Sequence, residues 1–350
     1  MKIRMISKND SALAAWNSSR PEANEKDSSK IYNLDLPVSE FVRFDIEITS
    51  SIFTRELFCS LRDHVIWAQT SRVQNVLEFN MVEELSDDES FSEIRRMMIK
   101  KSLNGDRQDE YRLTLPMFSK TTYAISISLR HLVNVSKNLK YISGKCKDPY
   151  VSRILLVESL SIDFITNGYD TSSHKMKPIL NEDIISDSNL ENGEFLTVTS
   201  EIPLYLRAQL VRHRQLLLVD NLIDIVALPD SRYLTIEDLC KIQVVGSKSF
   251  LQEVASKRRC WISQYGIWSE FLSKIEMFVK PILPCDNGEC PFKQDVMLRV
   301  DGKDPNPPCP KFLNQNNIKV GYDVIDSIIN QKEKDGRPSF WNHDISKLES

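Results

Sequence analysis

The order of predicted elements repeats along the chain, and this repetition restricts the fold more than any other feature of the sequence. The stretch Phe41–Ser50 alternates apolar and polar residues, as a half-buried strand does. The next stretch, Ser51–Arg72, carries apolar residues at three- and four-residue spacing, which is typical of a helix. After the polar segment Asn167–Gly193, a strand-like run at Phe195–Ser200 again precedes a helical pattern at Ile202–Leu222. We therefore predict an internal duplication of a unit in which a strand leads into a long helix.

The predicted fold class is α+β, with two tandem, related units that each pack an antiparallel sheet against long helices, followed by an irregular tail. A chain of 350 residues can hold one large domain or two of about 150–200 residues. We expect the first unit to span residues 1–165, the second residues 166–284, and the tail residues 285–350. Further helical patterns occur at Met117–Leu139 and Ser247–Val279.

Composition excludes several classes of function. The net charge of −4 leaves no excess of positive charge to drive counterion release, which argues against general nucleic-acid binding. No apolar run reaches the ~18–20 residues that a membrane span needs, and the first ten residues lack the apolar core of a signal peptide. Seven scattered cysteines do not form the even-numbered pattern of a secreted disulfide framework. These features predict a reduced, cytoplasmic protein that does not bind a membrane.

The tail holds three cysteines among prolines and polar residues, Cys285, Cys290 and Cys309. Three cysteines at these spacings make an incomplete zinc pattern, because a structural zinc site needs four ligands. Either another residue completes the set, or the cysteines are free thiols in an irregular loop. We favour free thiols and assign no metal ligands.

The string EIPLYLRAQLVRHR, at Glu201–Arg214, contains the most distinctive cluster of functional side chains. Arg212, His213 and Arg214 are consecutive, so on a helix their side chains would fan out by about 100° each. Two guanidinium groups and an imidazole suit a polyanion such as a nucleotide phosphate or a flavin diphosphate. The alternative is an amphipathic helix with a solvated basic end.

The segment Gln209–Arg214 resembles the signature string of flavin-dependent thymidylate synthases, in which R-Q and two hydrophobic residues precede R-H-R. The family motif continues as R-H-R-x-x-S, followed by an acidic or amide pair, and ends in S-x-R. Here the chain continues as QLLLVDNLIDI, with no serine or arginine at those positions. The resemblance therefore covers the flavin-type half of the motif in this unit.

The first unit resembles the other half of the same motif. Gln69, Thr70, Ser71 and Arg72 are similar to its E/Q-x-S-x-R ending, with one spacer residue missing. The sequence from Arg112 to Pro116 resembles the family's R-x-x-L-P element, and Arg130 falls in a helix where the family carries a substrate arginine. One unit thus has nucleotide-type residues and the other the flavin-type triplet.

The resemblance implies a one-carbon transfer from reduced folate to C5 of a uracil nucleotide such as dUMP, giving a methyl or hydroxymethyl product. It implies FAD as cofactor, NADPH as reductant and a homo-oligomer. Arg112 and Arg130 would be catalytic at the uracil carbonyls, and Arg212, His213 and Arg214 would contact the flavin. The substrate would be held by Gln69, Thr70, Ser71, Arg72 and Gln209.

Each of these assignments has a structural alternative. Thr70, Ser71 and Arg72 could form a helix C-terminal cap, and the arginines at 112 and 130 could make ordinary ion pairs. Arg258 and Arg259 could help to bind a diphosphate. The aromatic candidates for folate stacking are more typical of a core; they are Trp67, Trp261, Tyr265 and Trp268. A chain with both halves of the motif broken could also be a catalytically inactive nucleotide-binding or scaffold protein.

Overall fold

The computed structural model describes residues 1–19, 32, 37–61, 65–68, 77, 79–103, 111–180, 189–260, 262–282 and 297. The eight strands in this part of the chain are β1 Lys2–Asp10, β2 Val42–Ser51, β3 Val65–Ala68, β4 Lys120–Ser128, β5 Leu190–Asn192, β6 Phe195–Pro203, β7 Leu217–Asp220 and β8 Leu239–Ser247. Its α-helices are α1 Ala12–Ser19, α2 Ile52–Ser60, α3 Ser90–Leu103, α4 Leu129–Lys145, α5 Pro149–Thr166, α6 Leu204–Leu210, α7 Leu222–Val226, α8 Lys248–Cys260 and α9 Ile262–Glu276. Short 3-10 helices lie at Pro37–Phe41, Glu83–Leu85, Arg112–Thr114 and Ser231–Tyr233.

The strands form two four-stranded antiparallel sheets with the same internal order. The first sheet has the order β1-β2-β4-β3 and the second β5-β6-β8-β7. Leu204 at the start of α6 lies 152 residues after Ile52 at the start of α2, which is also the separation between Val65 and Leu217 at the starts of β3 and β7. The α+β fold class with two antiparallel sheets and long helices is confirmed. The origin of the two sheets in a duplication stays a prediction.

The described residues divide into two compact units that are discontinuous in sequence. Unit 1 comprises the described residues of Met1–Ile94, Thr114–Asp183 and Asp220–Asp238. Unit 2 comprises those of Arg95–Leu113, Ile184–Val219 and Leu239–Ser350. The continuous boundaries expected from the sequence remain a prediction.

In unit 1 the core lies between the first sheet and its helices. Residues of β2 alternate between buried and partly exposed, and the buried face carries Phe44, Ile46 and Ile48. This strand pairs with β4 in register, with Phe44 opposite Ile127. The period-2 pattern in the sequence of β2 therefore corresponds to one apolar face of the strand, and the helices cover that face.

A buried carboxylate from α5 lies at the N-terminus of α2. Glu158 is 1% exposed and accepts hydrogen bonds from Ser51 N (2.7 Å) and Ser51 Oγ (3.0 Å), and a third from Thr54 Oγ1. Ser51 also caps α2 by accepting from the backbone N–H of Thr54. Loss of solvation raises the pKa of Glu158 above its ordinary value, although these hydrogen bonds favour the charged form.

A second buried carboxylate starts α5 itself. Asp148 is fully buried and its Oδ1 accepts from the backbone N–H groups of Tyr150 and Val151, while Pro149 occupies the first helical turn. Such an N-cap with a proline at N1 fixes where the helix begins. Burial, followed by the nearby charge of Asp148, raises the pKa of the Cys146 thiol to about 12, so this cysteine is a thiol at neutral pH.

In unit 2 the second sheet carries α8 and α9. Strand β6 pairs antiparallel with β8 from Phe195 opposite Ser247 to Pro203 opposite Leu239. Val198 and Val244 are fully buried within this pair. The Ser247–Val279 helical pattern is confirmed as two successive helices, α8 and α9.

Three predicted helices are shorter than their sequence patterns. The helix expected over Ser51–Arg72 ends at Ser60 and is followed by β3, and the one expected over Ile202–Leu222 ends at Leu210 and is followed by β7. The helix expected over Met117–Leu139 begins only at Leu129, as α4, because Lys120–Ser128 forms strand β4. Short apolar runs fit either period, and pairing within a sheet decides between them.

Candidate functional site

The predicted flavin-binding triplet lies in a turn of unit 2, between α6 and β7. Helix α6 ends where Val211 N donates to Arg207 O (3.0 Å), and two further turns are closed by His213 N to Leu210 O and Leu216 N to His213 O, both 2.9 Å. We call Val211–Leu216 the arginine turn. The expectation that the triplet lies on a helix was wrong, because the chain leaves α6 to enter β7.

The turn separates the three side chains by exposure. Arg212 and Arg214 are exposed, whereas His213 between them is half-buried. The imidazole of His213 faces the ring of Phe250 on α8 edge-on, with 6.1 Å between ring centroids. The two arginine side chains therefore lie at the surface, while the histidine anchors the turn to α8.

Burial and the nearby Arg258 of α8 favour the neutral form of His213. Nη2 of Arg258 donates a hydrogen bond of 3.2 Å to Nε2 of His213. Because a guanidinium can only donate, Nε2 is the acceptor and the proton of the neutral ring belongs on Nδ1. Burial lowers the pKa of His213 below its ordinary value, and the charges of Arg258 and Lys257 lower it further. The imidazole thus contributes no charge to the turn at neutral pH.

Arg258 is itself positioned by an aromatic residue of α9. Its guanidinium lies over the ring of Trp268, 4.5 Å from the centroid. Trp268 is fully buried, and its Nε1 finds no hydrogen-bond partner among the described residues. The interpretation of Trp268 as a core residue is confirmed. The contact of Trp268 with Arg258 and the hydrogen bond from Arg258 to His213 together link α9, α8 and the arginine turn.

The arginine turn packs closely against strand β8, where its residue Leu216 lies beside Gly246. A Cβ atom placed on Gly246 would lie 2.6 Å from Cδ2 of Leu216 and 3.3 Å from Cγ of Leu251. Only a residue without a side chain allows the strand to approach this closely. The absence of a side chain at Gly246 therefore leaves room for the buried side chain of Leu216, the last residue of the arginine turn.

The other predicted site residues are distributed over the two units. Gln209 is half-buried on α6, next to the arginine turn. Arg112 is buried in a 3-10 helix of unit 2. Arg130, in the first turn of α4 in unit 1, donates to Oε1 of Glu40 at 2.7 Å. Gln69, Thr70, Ser71 and Arg72 lie outside the described residues, as do the aromatic ring of Trp261 and the three tail cysteines.

Sequence reasoning missed the residues that hold the triplet in place, Phe250 and Gly246, and placed Trp268 only in the core. The available signal was indirect: Gly246 interrupts the apolar strand β8 just before α8. A glycine inside a strand often marks a close approach of another backbone or side chain. Without the fold, that partner could not be named.

The donor set of the arginine turn fits an anionic ligand. Arg212 and Arg214 present fixed positive charges, and α8 adds Arg258 behind His213. Lys257 is paired with Glu253 one helical turn earlier on α8. Exposed guanidinium groups suit the paired oxygens of a phosphate or diphosphate, as in a flavin adenine dinucleotide. Within the described part of the chain, no three potential metal ligands cluster, and no helix has the length and apolarity needed to cross a membrane.

Solved structures with a partly similar fold include enzymes that act on uracil nucleotides. One is thymidylate synthase X from Helicobacter pylori with FAD and dUMP, at 14% identity and a TM-score of 0.36, covering 50% of this chain and 98% of its own. Two others are the UMP/dUMP methylase PolB from Streptomyces cacaoi, bound with 5-Br UMP at 12% identity and TM-score 0.34, and bound with 5-Br dUMP at 14% and 0.35. These two cover 49% and 48% of this chain, and 91% and 90% of their own. Likeness at these TM-scores does not establish an activity. No protein-family model and no curated protein matches the chain.

Proposed function

We propose that the arginine turn binds the phosphate-bearing part of a flavin dinucleotide, and that the chain transfers a one-carbon unit from reduced folate to C5 of a uracil nucleotide such as dUMP. The observation that carries the proposal is the exposure of Arg212 and Arg214 on either side of an anchored His213. This arrangement keeps both guanidinium groups exposed to solvent and restricts the backbone that presents them. The matching string Gln209–Arg214 supplies the link to the flavin-dependent family.

The residues of the turn have separate roles in this proposal. Arg212 and Arg214 neutralise the ligand's phosphates through charge-assisted hydrogen bonds. His213 orients the turn, because Arg258 holds its neutral ring against α8. Gln209, half-buried at the end of α6, offers an amide to a neutral polar group of the substrate. A bound reduced flavin supplies the hydride, while the protein supplies position and charge.

Arg112 and Arg130 are proposed to stabilise the negative charge that develops on the uracil ring. A fixed guanidinium beside a carbonyl oxygen favours enolate-like electron density and makes C5 nucleophilic. In this structure Arg130 is paired with Glu40, whose side chain is 40% exposed. Binding of a nucleotide at Arg130 would therefore require that this ion pair open. We retain Gln69, Thr70, Ser71 and Arg72 as proposed phosphate and substrate contacts.

A second candidate function is nucleotide binding without catalysis. It is favoured by the segment after the arginine turn, where Leu217–Asp220 forms β7 in place of the serine- and arginine-containing part of the family motif. It is also favoured by the Arg130–Glu40 pair, which occupies a residue proposed for catalysis. Under this alternative the turn binds an anionic ligand and no product forms.

Flavin binding tests the first step of the proposal. The absorbance spectrum of the purified protein is expected to show flavin bands. When FAD is titrated with the protein, binding should quench the fluorescence of the FAD. The double variant Arg212→Ala/Arg214→Ala is expected to lose binding, because charge-assisted hydrogen bonds contribute about 1.5–3 kcal/mol each. The matched control Arg96→Ala/Lys100→Ala removes two exposed charges from α3 and should bind FAD normally.

Release of tritium from 5-tritiated dUMP tests the catalytic step, because substitution at C5 displaces that hydrogen. The assay contains FAD, NADPH and reduced folate. Tritium release that is absent from the Arg112→Ala variant supports the enzyme. Binding of FAD or dUMP without tritium release identifies the non-catalytic alternative, and binding of neither ligand overturns both candidates.

A further inference from the structure

Helix α5 exposes a stripe of large apolar side chains on the surface of unit 1. Leu156 is 44% exposed, Leu160 is 53% exposed and Phe164 is 80% exposed. Their spacing of four residues places them along one face of the helix. We call these three residues the α5 stripe. A contiguous apolar patch of this kind marks an interaction surface more often than scattered single residues do.

The opposite face of α5 accounts for its packing within the chain. Ile154, Leu155 and Ile162 are almost completely buried, and Ser159 and Glu158 are buried beside them. The helix therefore already has a core-facing side that α4 and the first sheet cover. The α5 stripe adds a second apolar side that packing within unit 1 does not require.

The charges beside the stripe are arranged with self-complementary symmetry. Arg153 is exposed at one end, and Asp163 lies at the other end, with 40% of its side chain exposed. When two antiparallel copies of α5 are centred on residue 158, Leu156 faces Leu160 of the second copy and Arg153 faces Asp163. Each of these two pairings, leucine with leucine and arginine with aspartate, then occurs twice, as an isologous twofold interface requires.

We propose that α5 is a homodimer interface, in which the α5 stripes of two copies pack antiparallel. Near-antiparallel helices pack with their side chains interdigitated at distances that suit leucine and phenylalanine. Phe164 becomes buried at each end of the interface, and Arg153 pairs across it with Asp163. Asp163 retains its bonds from Ser136 and Lys140, since a carboxylate has about four acceptor positions. This inference does not depend on the proposed function.

The competing occupant of the stripe is the tail of the same chain. Residues 283–296 and 298–350 lie outside the described residues and contain apolar side chains. The symmetry of Arg153 and Asp163 favours a second copy, because a tail segment needs no such relation between the two ends of α5. The experiment must therefore distinguish contacts between chains from contacts within a chain.

Sedimentation velocity of the full chain over a range of concentrations tests the proposal. The wild-type protein is expected to approach twice the mass of one chain. Leu160→Glu should raise the dimer dissociation constant at least about tenfold, because it places a charge at the centre of the interface. Arg153→Glu should weaken the dimer through repulsion with Asp163 of the second copy. The control Leu228→Glu alters a residue of similar exposure, 52%, and should leave the dimer intact.

A photo-crosslinking amino acid at position 160 identifies the occupant. A product between two chains that contains the 153–164 region of the second copy supports the proposal. A product within one chain that contains residues 283–350 overturns it in favour of the tail. A monomer at every concentration also overturns it, as does a dimer that Leu160→Glu leaves unchanged. Far-ultraviolet circular dichroism verifies that each variant is folded.

Discussion

Nε of Arg232 donates a hydrogen bond of 2.8 Å to Oδ2 of Asp148, whose other carboxylate oxygen caps helix α5. The backbone N–H of Arg232 donates to the same oxygen at 3.2 Å. The guanidinium also lies over the ring of Tyr150, 4.2 Å from its centroid. One fully buried carboxylate therefore joins the start of α5 to the segment that contains the Ser231–Tyr233 3-10 helix, within unit 1.

Replacement of Asp148 by alanine is expected to destabilise the protein strongly. The variant loses the N-cap of α5, which contributes about 0.5–2 kcal/mol, and the charge-assisted hydrogen bond from Arg232, which contributes about 1.5–3 kcal/mol. Urea unfolding followed by circular dichroism measures the change in free energy of unfolding. Arg4→Ala is the comparison, because the Arg4–Glu47 pair is exposed to solvent and should contribute little to stability. Equal effects of the two substitutions would contradict the role of Asp148.

Glu158 predicts a dependence of stability on pH. Because burial raises its folded pKa, the folded state binds a proton more tightly than the unfolded state, whose value is near 4.5. The stabilising contribution of the protonated group is present below that value and is lost as the pH rises through the folded pKa. Glu158→Gln keeps the shape of the side chain and should flatten this part of the curve. Urea unfolding from acid to neutral pH measures the difference, and parallel curves for the two proteins would refute the prediction.

His213 predicts a pH effect of opposite sign. Its folded pKa is lowered from 6.5, chiefly by burial and then by Arg258 and Lys257. The stability that it contributes is therefore present above 6.5 and is lost as the pH falls through the folded pKa. Arg258→Gln should move the pKa of His213 back towards its ordinary value, but only in part, because burial remains. Titration of the imidazole by NMR measures this shift, with Lys274→Gln as a control on α9. An unchanged pKa in Arg258→Gln would contradict the contact.

Gly246→Ala is expected to destabilise unit 2 by about 1–3 kcal/mol, as overpacking of a core commonly does. The added methyl group overlaps Cδ2 of Leu216, so the side chain of Leu216 must shift within the core. Leu216→Ala in the same chain should recover part of the loss, so the two substitutions are not additive. Gly144→Ala in the last turn of α4 is the control: outside its own helix no atom lies within 4 Å of the new methyl group, so this substitution should not destabilise the protein. Thermal unfolding and FAD affinity are the measurements.

The sequence allowed the α+β class to be predicted because strands such as β2 alternate apolar and polar residues beside segments with helical spacing. From Val42 to Thr49 in β2, apolar residues are buried and polar residues alternate with them on the other face, so the period is visible without the fold. The ends of α2 and α6 were not predictable in the same way. Residues after Ser60 and Leu210 continue the apolar spacing, yet they turn into the short strands β3 and β7. Hydrogen bonds to β4 and β8, which lie far along the chain, decide that outcome.

The candidate site shows the same division between local and distant information. The arginine triplet could be identified as a candidate anion-binding motif from the sequence alone, because the motif is defined by the charges and the order of its residues. The neutral state of His213 could not, since it requires Arg258 from α8 and burial against Phe250. The Arg130–Glu40 ion pair likewise joins residues 90 positions apart. Such pairings are set by tertiary packing, which no local pattern contains.

The carboxylate of Glu158 has one further consequence for ligands. The positive pole of α2 is already neutralised by a group that belongs to the protein, and every donor around Ser51 and Thr54 that reaches it is engaged. A phosphate approaching this helix would have to compete with the side chain of Glu158 for the same hydrogen-bond donors. The N-terminus of α2 therefore offers neither the backbone N–H of Ser51 nor the hydroxyl of Thr54 freely to an external anion, because Glu158 accepts from these groups.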